Sequence, residues 1–123
     1  MIMLDTNFLI AAEEPGGEAD RKLRGWLAQR ERIGICVLAW TEYLCGPLSP
    51  GAMEAADLLC AVKEPFLSDD APLAAHLFNE SGRRRGTLAD CMIAAVAIRC
   101  GASLATLNLA DFAPFIRQGL TLT

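Results

Sequence analysis

Short apolar runs alternate with longer amphipathic stretches along this chain. Runs such as Met1–Leu4 are too short for ordinary helices and are typical of buried strands. The predicted strands are Met1–Asp5, Ile33–Leu38, Pro65–Leu67, Ala102–Thr106 and Leu120–Thr123. The predicted helices are Asn7–Ala12, Glu18–Arg32, Ala39–Cys45, Pro50–Val62, one running from Ser68–Asp70 to near Gly82, Leu88–Cys100, and a turn at Ala113–Arg117. This alternation predicts an α/β fold whose central, mostly parallel sheet carries helices on both faces.

Two helix boundaries have a specific chemical signal. Asp69 is expected to accept hydrogen bonds from free backbone N–H groups at the start of its helix. Leu88–Cys100 is apolar nearly all round, which predicts a central buried helix, and Gly101 fits the left-handed position just beyond its end.

Composition indicates one globular domain covering residues 1–123, because 53% of the chain is hydrophobic and 21% is charged. No signal-peptide pattern is visible, and the longest apolar run, Met92–Ile98, is too short to span a bilayer. The five cysteines form no C-x-x-C pair, which favours reduced thiols over a zinc site and a cytoplasmic location without membrane attachment. The single histidine, His76, is expected on a helix face with no role in catalysis.

Four carboxylates lie in unusually apolar surroundings. They are Asp5, Glu42, Asp90 and Asp111. A carboxylate beside a buried strand or on an apolar helix is costly unless a positive charge meets it. Because ligands in parallel sheets bind beyond the carboxyl ends of the strands, we expect these acids to share one site for Mg²⁺, with Mn²⁺ able to substitute. Polar neighbours expected to support them are Thr6, Asn7, Thr106 and Asn108.

Each acid also has a purely structural interpretation. Asp5 and Asp111 are each placed to start a helix, and Glu42 is expected in a first turn, where the helix dipole favours it. Asp90 follows Thr87 at the spacing of a capping box. Asn108 competes with Asp111 for the fourth position, since an amide can orient a ligand in the place of a carboxylate.

The net charge of −4 does not exclude a nucleic-acid substrate. Without the four acids above, 11 acidic residues face 11 basic ones. Bases are clustered in Arg21–Arg24, Arg30–Arg32 and Arg83–Arg85, and local field steers a phosphate chain. We expect Arg83, Arg84 and Arg85 to contact RNA; the alternative is a solvated turn, and a solvated helix face is favoured for Arg21–Arg32.

The order of four short motifs resembles PIN-domain ribonucleases. These motifs are Leu4-Asp5-Thr6-Asn7-x-Leu9-Ile10, Glu42-x-Leu44-x-Gly46, Asp90-x-x-Ile93-Ala94-Ala95-x-Ala97 and Thr106-x-Asn108-x-x-Asp111-Phe112. The small size and the Arg-Arg-Arg-Gly segment resemble the VapC-type toxins of toxin–antitoxin pairs. The resemblance implies a three-layer PIN-like fold, a metal-dependent endoribonuclease acting on structured RNA, inhibition by a small antitoxin, and a homodimer. Asn108 departs from the pattern, because some members carry an acid there.

Other functions are compatible with parts of this pattern. A non-catalytic PIN-like module would keep the fold and bind a partner, and a metal-dependent phosphatase would need a closed pocket. A structure-specific DNA nuclease uses similar chemistry, but this chain has no room for a long substrate-threading insertion. A partner helix is expected to dock between Asn7–Ala12 and Ala52–Val62, with aromatic side chains available to it: Trp26, Trp40, Phe8, Phe112 and Phe115.

Overall fold

A single five-stranded parallel sheet forms the centre of the computed structural model, which describes residues 1–123. Its strands are β1 Ile2–Leu4, β2 Ile33–Cys36, β3 Val62–Glu64, β4 Ser103–Ala105 and β5 Thr121–Leu122, in the spatial order β3-β2-β1-β4-β5. Ile2 pairs with Ile33 on one side and with Ser103 on the other. The chain order therefore reverses at β1, which puts a topological switch point between β1 and β4.

Helices connect the strands and cover both faces of the sheet in three layers. They are α1 Thr6–Ala11, α2 Glu18–Ala28, α3 Val37–Cys45, α4 Pro50–Leu59, α5 Ala71–Glu80, α6 Leu88–Arg99 and α7 Leu109–Phe112, with 3₁₀ turns at Ser68–Asp70 and Ala113–Gln118. Because connections between parallel strands are right-handed, the helices before β3 are expected on one face and those after it on the other. The predicted α/β architecture is confirmed.

The core follows from the two predicted apolar patterns. The strand residues Met3, Leu4, Ile35 and Leu104 are fully buried, and so is the stretch Ala94–Ala97 of α6. As predicted, α6 is the central buried helix, and Gly101 beyond its end adopts the left-handed φ of 61°. The switch point is thus surrounded by rigid, well-packed elements.

Several predicted boundaries were wrong. Strand β3 is Val62–Glu64, not Pro65–Leu67, because the β-branched Val62 pairs with Gly34 whereas Pro65 lacks the N–H that a ladder needs. Helix α4 accordingly ends at Leu59. Helix α2 ends at Ala28, short of the predicted Arg32, and Arg30 then takes a left-handed φ of 59°.

The start of the helix at Ser68–Asp70 depends on Asp70 rather than Asp69. The Asp70 carboxylate is 2% exposed; it accepts the N–H of Leu67 at 2.8 Å and the Nε–H of Arg99 at 2.7 Å. Arg99 also donates to the carbonyl of Pro65 at 2.8 Å. This ion pair fixes the C-terminal end of α6, and so the helix that carries Asp90.

All five cysteines are free thiols, as expected. Cys36, Cys60 and Cys91 are buried, whereas Cys45 is exposed. His76 is exposed on α5. No helix combines the length and the hydrophobicity that crossing a membrane requires.

Candidate active site

Asp5 lies immediately after β1, at the switch point of the sheet. Its side chain is 5% exposed; one carboxylate oxygen accepts the backbone N–H of Thr6 at 2.9 Å and the other accepts the Thr106 hydroxyl at 2.8 Å. Asp5 is therefore the N-cap of α1 as well as a buried acid. Burial raises the pKa of Asp5, and the two hydrogen bonds partly oppose that rise.

A polar network joins the ends of β1 and β4 behind Asp5. The Thr106 hydroxyl, buried at the end of β4, donates to Asp5 and accepts the backbone N–H of Asn108 at 3.0 Å. The side-chain carbonyl of Asn7 accepts the backbone N–H of Leu107 at 3.0 Å. On the other side, the Thr6 hydroxyl donates to the carbonyl of Ala39 at 2.9 Å and ties α1 to α3. These contacts hold Asp5 in one orientation.

Glu42 reaches the same region from α3. It is the sixth residue of a helix that begins at Val37, so it lies beyond the first turn and the predicted dipole interpretation does not apply. Partial desolvation raises the pKa of Glu42, and the charge of Asp5 raises it further.

Asp90 is the most perturbed of the four acids. Desolvation, followed by the charges of Asp5, Asp111 and Glu42, raises the pKa of this half-buried carboxyl to about 6. The capping-box interpretation is not supported, because the Thr87 hydroxyl donates to the carbonyl of Arg84 and makes no cap on α6. Asp90 thus sits in a field made by the other three acids.

A small cleft of about 180 Å³ brings most of the predicted site together; we call it the acidic cleft. Its lining residues are Asp5, Thr6, Asn7, Ile10, Glu42, Asp90 and Asn108. Ile10 was not predicted, although its i, i+3 spacing from Asn7 puts both on one side of α1. Thr106 lies behind Asp5 rather than on the surface of the cleft.

Asp111 stands just outside the acidic cleft. Helix α7 begins at Leu109, with Asn108 before it and Asp111 as its third residue, so the predicted helix start at Asp111 was wrong by two positions. The half-buried Asp111 nevertheless contributes to the raised pKa of Asp90. Asn108 lines the acidic cleft and Asp111 acts on it through its charge.

The three arginines before α6 are exposed, and none contacts a carboxylate of the acidic cleft. Arg83 has a left-handed φ of 55°, lies over the ring of Phe78 and bonds Asn79, so it helps to shape the turn. Arg84 and Arg85 make no side-chain hydrogen bond or ion pair. They leave two unpaired cations a few residues ahead of Asp90.

The acids of the site repel one another, and no positive side chain pairs with them. None of Asp5, Glu42, Asp90 or Asp111 forms an ion pair. No three of the chain's His, Cys, Asp or Glu side chains stand close enough together to hold a metal ion as they are arranged. The donor set itself, carboxylates with amide and hydroxyl oxygens beside them, has the chemistry that suits Mg²⁺ or Mn²⁺.

The fold and the cleft define an α/β protein with a carboxylate-lined site at the switch point of a parallel sheet. The family model of the PIN domain matches residues 2–113, and this chain belongs to the PIN domain family. No curated protein sequence shows a significant match to it.

Solved structures share this fold at low sequence identity. FitAcB from Neisseria gonorrhoeae is 19% identical with a TM-score of 0.73, covering 100% of this chain and 97% of that one. VapBC2 from Rickettsia felis, bound to a DNA fragment from its promoter, is 22% identical with a TM-score of 0.73, covering 100% and 98%. VapC20 from Mycobacterium tuberculosis, described as a sarcin–ricin loop cleaving toxin, is 18% identical with a TM-score of 0.68, covering 100% and 98%.

Proposed function

We propose that this protein is a Mg²⁺-dependent endoribonuclease and the toxin of a toxin–antitoxin pair. The observation that carries the proposal is the acidic cleft, where Asp5, Glu42 and Asp90 converge at the switch point and the pKa of Asp90 is raised to about 6. Uncompensated carboxylates in one cleft are typical of a functional site. Membership of the PIN domain family and the toxin–antitoxin context of similar folds support the choice of reaction.

In this proposal the four acids have related but distinct roles. Asp5, Glu42 and Asp90 would hold the metal ion, and Asp111 would add charge from the rim. The ion, when bound, would supply a water of lowered pKa and positive charge for the phosphodiester oxygens. Thr106 and the Thr6 N–H orient Asp5, while the buried floor of β1 and β4 keeps it from rotating into solvent. Hydrolysis by water leaves a 5′-phosphate and a 3′-hydroxyl.

The direct test is incubation of the purified protein with total RNA and Mg²⁺, followed by sequencing of newly formed 5′-phosphate ends. We expect cuts at a small number of positions, abolished by EDTA and restored by Mn²⁺. Asp69→Asn is the matched control, because Asp69 is an exposed acid outside the acidic cleft. Cleavage that survives EDTA, or no cleavage at any metal concentration, would contradict the proposal.

Variants of Asp111 and Asn108 test which of these two residues serves as the fourth acidic position of the site. Asp111→Asn should reduce cleavage more than Asn108→Ala, because only Asp111 brings a charge to the cation. The difference should be largest at limiting Mg²⁺, where initial rates are to be compared. Full activity of Asp111→Asn at limiting Mg²⁺ would leave Asp111 with a role only in the first turn of α7.

Because Arg84 and Arg85 are unpaired, we expect RNA binding to weaken as the salt concentration rises. Neutralising Arg84 and Arg85 to Gln should weaken RNA binding and flatten the plot of log affinity against log salt by roughly one unit for each phosphate that the protein no longer neutralises. Arg30→Gln with Arg32→Gln is the matched control, because these exposed residues precede β2 at the opposite end of the strands. Equal slopes in both double variants, measured by fluorescence anisotropy, would leave Arg84 and Arg85 in a solvated turn.

The proposed partner is a small antitoxin whose helix docks in an apolar groove of about 390 Å³; we call it the helix groove. Its lining residues are Leu9, Ala12, Glu13, Leu23, Ala52, Ala55, Ala56 and Leu59, contributed by α1, α2, α4 and the residues after α1. The groove lies between the two segments predicted to form it. The predicted aromatic contacts were wrong for Phe8, Phe112 and Phe115, which are buried in the core.

Helix α1 connects the helix groove to the acidic cleft. Leu9 and Ala12 face the groove, while Asn7 and Ile10 line the cleft. A partner chain leaving the groove over α1 therefore reaches Asp5 and Asp90 within a few residues, and a basic side chain there neutralises them or displaces the cation. A homodimer, with RNA as the substrate, completes the proposed assembly.

A second candidate is a non-catalytic partner-binding module. The observation in its favour is that no three acids are already close enough to bind a metal ion. Calorimetric titration with Mn²⁺ separates the two functions, because a nuclease binds the ion and loses it on Asp90→Asn. A small-molecule phosphatase is less well supported, since the cleft of about 180 Å³ is smaller than the roughly 300–1,000 Å³ typical of closed ligand pockets.

A further inference from the structure

We propose that Asn7 binds the substrate, donating a hydrogen bond from its side-chain nitrogen to a non-bridging oxygen of the RNA phosphate held in the acidic cleft. The inference rests on the proposed RNA cleavage. It assigns Asn7 to the phosphate rather than to the metal, and the reason is the direction in which its amide is held.

The neighbours of Asn7 fix which end of the amide faces the cleft. The N–H of Leu107 points at one end from 3.0 Å, and a backbone N–H requires an acceptor there. That end must be the carbonyl oxygen. The Thr106 hydroxyl lies 3.4 Å from the same oxygen but donates its hydrogen bond to the closer Asp5 carboxylate, at 2.8 Å. The nitrogen of Asn7 therefore faces away from the loop after β4.

The freed nitrogen has no partner within the protein. It forms no hydrogen bond with any side chain or carbonyl, and no buried polar side-chain atom lacks a partner, so the nitrogen is accessible to solvent on a residue that lines the cleft. The lone pair of an amide nitrogen is delocalised into its carbonyl group, so this nitrogen does not bind a cation. Asn7 is thus a donor in the acidic cleft and not a metal ligand.

Few other side chains there can donate. Asp5, Glu42 and Asp90 are acceptors when ionised, and the Thr6 hydroxyl is committed to the carbonyl of Ala39. Asn108 also carries an amide, but no hydrogen bond fixes its side chain, and only its backbone N–H and carbonyl are bonded. Asn7 is the one lining residue with a donor of fixed direction.

A phosphodiester is the group in RNA that matches such a donor. Its non-bridging oxygens only accept hydrogen bonds, and the carboxylates around them repel its charge. A neutral, preoriented donor offsets part of that repulsion without competing with the acids for the cation. A donor of fixed direction contacts one of the two non-bridging oxygens, so the two phosphorothioate isomers should respond differently.

The test combines two variants with sulfur-substituted RNA. Asn7→Asp keeps an oxygen for the Leu107 N–H and replaces the donor with an acceptor, while Asn108→Asp adds the same charge to the same cleft. Steady-state cleavage of an RNA that the wild-type protein cuts is measured in Mg²⁺ and in Mn²⁺. The substrates carry oxygen or either phosphorothioate isomer at the cut position, and thermal melts show whether each variant is folded.

Asn7→Asp should lower kcat/KM roughly 10- to 100-fold, as expected for a lost hydrogen bond to a charged group, and Asn108→Asp should lower it less. In the wild-type protein, one phosphorothioate isomer should slow cleavage in a way that Mn²⁺ does not rescue. That slowing should disappear in Asn7→Asp. If Asn7 only held the loop after β4, Asn7→Asp would leave this isomer-specific slowing unchanged.

Three results overturn the inference in recognisable ways. Equal activity of folded Asn7→Asp and Asn108→Asp would show that Asn7 only holds Leu107. If Mn²⁺ rescued every phosphorothioate effect in the wild-type protein, that result alone would show that Asn7 only holds Leu107. A wild-type protein that cuts no RNA in Mg²⁺ removes the proposed function itself, whereas the first two results leave cleavage standing and remove only the role of Asn7.

Discussion

Asp90→Asn is expected to abolish Mg²⁺-dependent RNA cleavage while making the metal-free protein more stable at neutral pH. The loss of activity should reach roughly 10²–10³-fold or more, the size seen when one group that stabilises transition-state charge is removed. Asp5→Ala should be similarly inactive. A gain in stability together with a loss of function distinguishes a functional acid from a structural one, whose removal only destabilises.

The stability gain follows from the raised pKa of Asp90. The folded protein holds this proton up to a pH of about 6, whereas the unfolded chain releases it near the ordinary pKa of 3.8. The folded state binds more protons between these values, so the free energy of unfolding falls as pH rises through them. At pH 7 the ionised carboxylate costs the metal-free protein roughly 1–2 kcal/mol once solvent screening of this half-exposed group is included, and the amide removes that cost.

Melting curves at pH 4, 5, 6 and 7 provide the measurement. For the metal-free wild type the contribution of Asp90 makes the melting temperature lower at pH 7 than at pH 5, and Asp90→Asn should flatten that part of the profile. The variant should melt several degrees higher at pH 7, since 1 kcal/mol corresponds to about 4 °C for a domain of this size. Asp69→Asn should leave the profile unchanged. A folded Asp90→Asn protein that still cleaves RNA at near the wild-type rate would remove Asp90 from the site.

With Mg²⁺ present, the wild type should melt at a higher temperature than Asp90→Asn, which reverses the order expected without metal. An ion that binds the folded state stabilises it by mass action, so the wild type should gain melting temperature with Mg²⁺ and Asp90→Asn should gain much less. Equal responses of the two proteins to Mg²⁺ would indicate that the ion binds elsewhere.

The position of Asp5 was predictable from sequence because two independent constraints meet there. The four-residue apolar run before it favours a buried strand, and a residue that directly follows a strand lies at the carboxyl edge of a parallel sheet. Thr106 follows β4 in the same way, and β1 and β4 are neighbours. The convergence of these two residues therefore needs only local pattern and the parallel topology.

Other features depended on contacts that a linear pattern does not contain. The strand Val62–Glu64 is short and half-buried, so its hydrophobic signal was weaker than that of Pro65–Leu67, where proline forbids pairing. The early start of α3 at Val37 was hidden because apolar strand and apolar helix residues look alike in a short run. The direction of the Asn7 amide was also invisible, since the N–H that fixes it comes from Leu107, 100 residues further along the chain.

The helix groove carries an acid on its edge, and this acid indicates the chemistry of the partner. Glu13 is exposed and is the only charged lining residue, while the buried Tyr43 hydroxyl donates to its carboxylate and holds it in place. A partner helix therefore needs an apolar face to pack against the groove and a Lys or Arg beside it for Glu13. Binding of that kind depends on close approach to the small residues of α4.

Ala55→Arg is expected to prevent the proposed antitoxin from binding while leaving RNA cleavage intact. Ala55 is an exposed residue of α4 that lines the helix groove, so a large cation there fills the groove without disturbing the core and repels the basic edge of the partner. The affinity should fall at least roughly 100-fold, because close-packed anchors dominate such interfaces.

Leu58→Arg is the matched control, since Leu58 lies on the same helix, is 81% exposed and does not line the groove. Co-expression of each variant with any small reading frame that neighbours the gene, followed by pull-down and an RNA cleavage assay, measures both properties. Ala55→Arg that still copurifies with a partner as the control does would place docking on another surface. A wild-type protein that cleaves RNA freely, with no copurifying partner and no inhibition by a neighbouring product, would remove the toxin role and leave the nuclease.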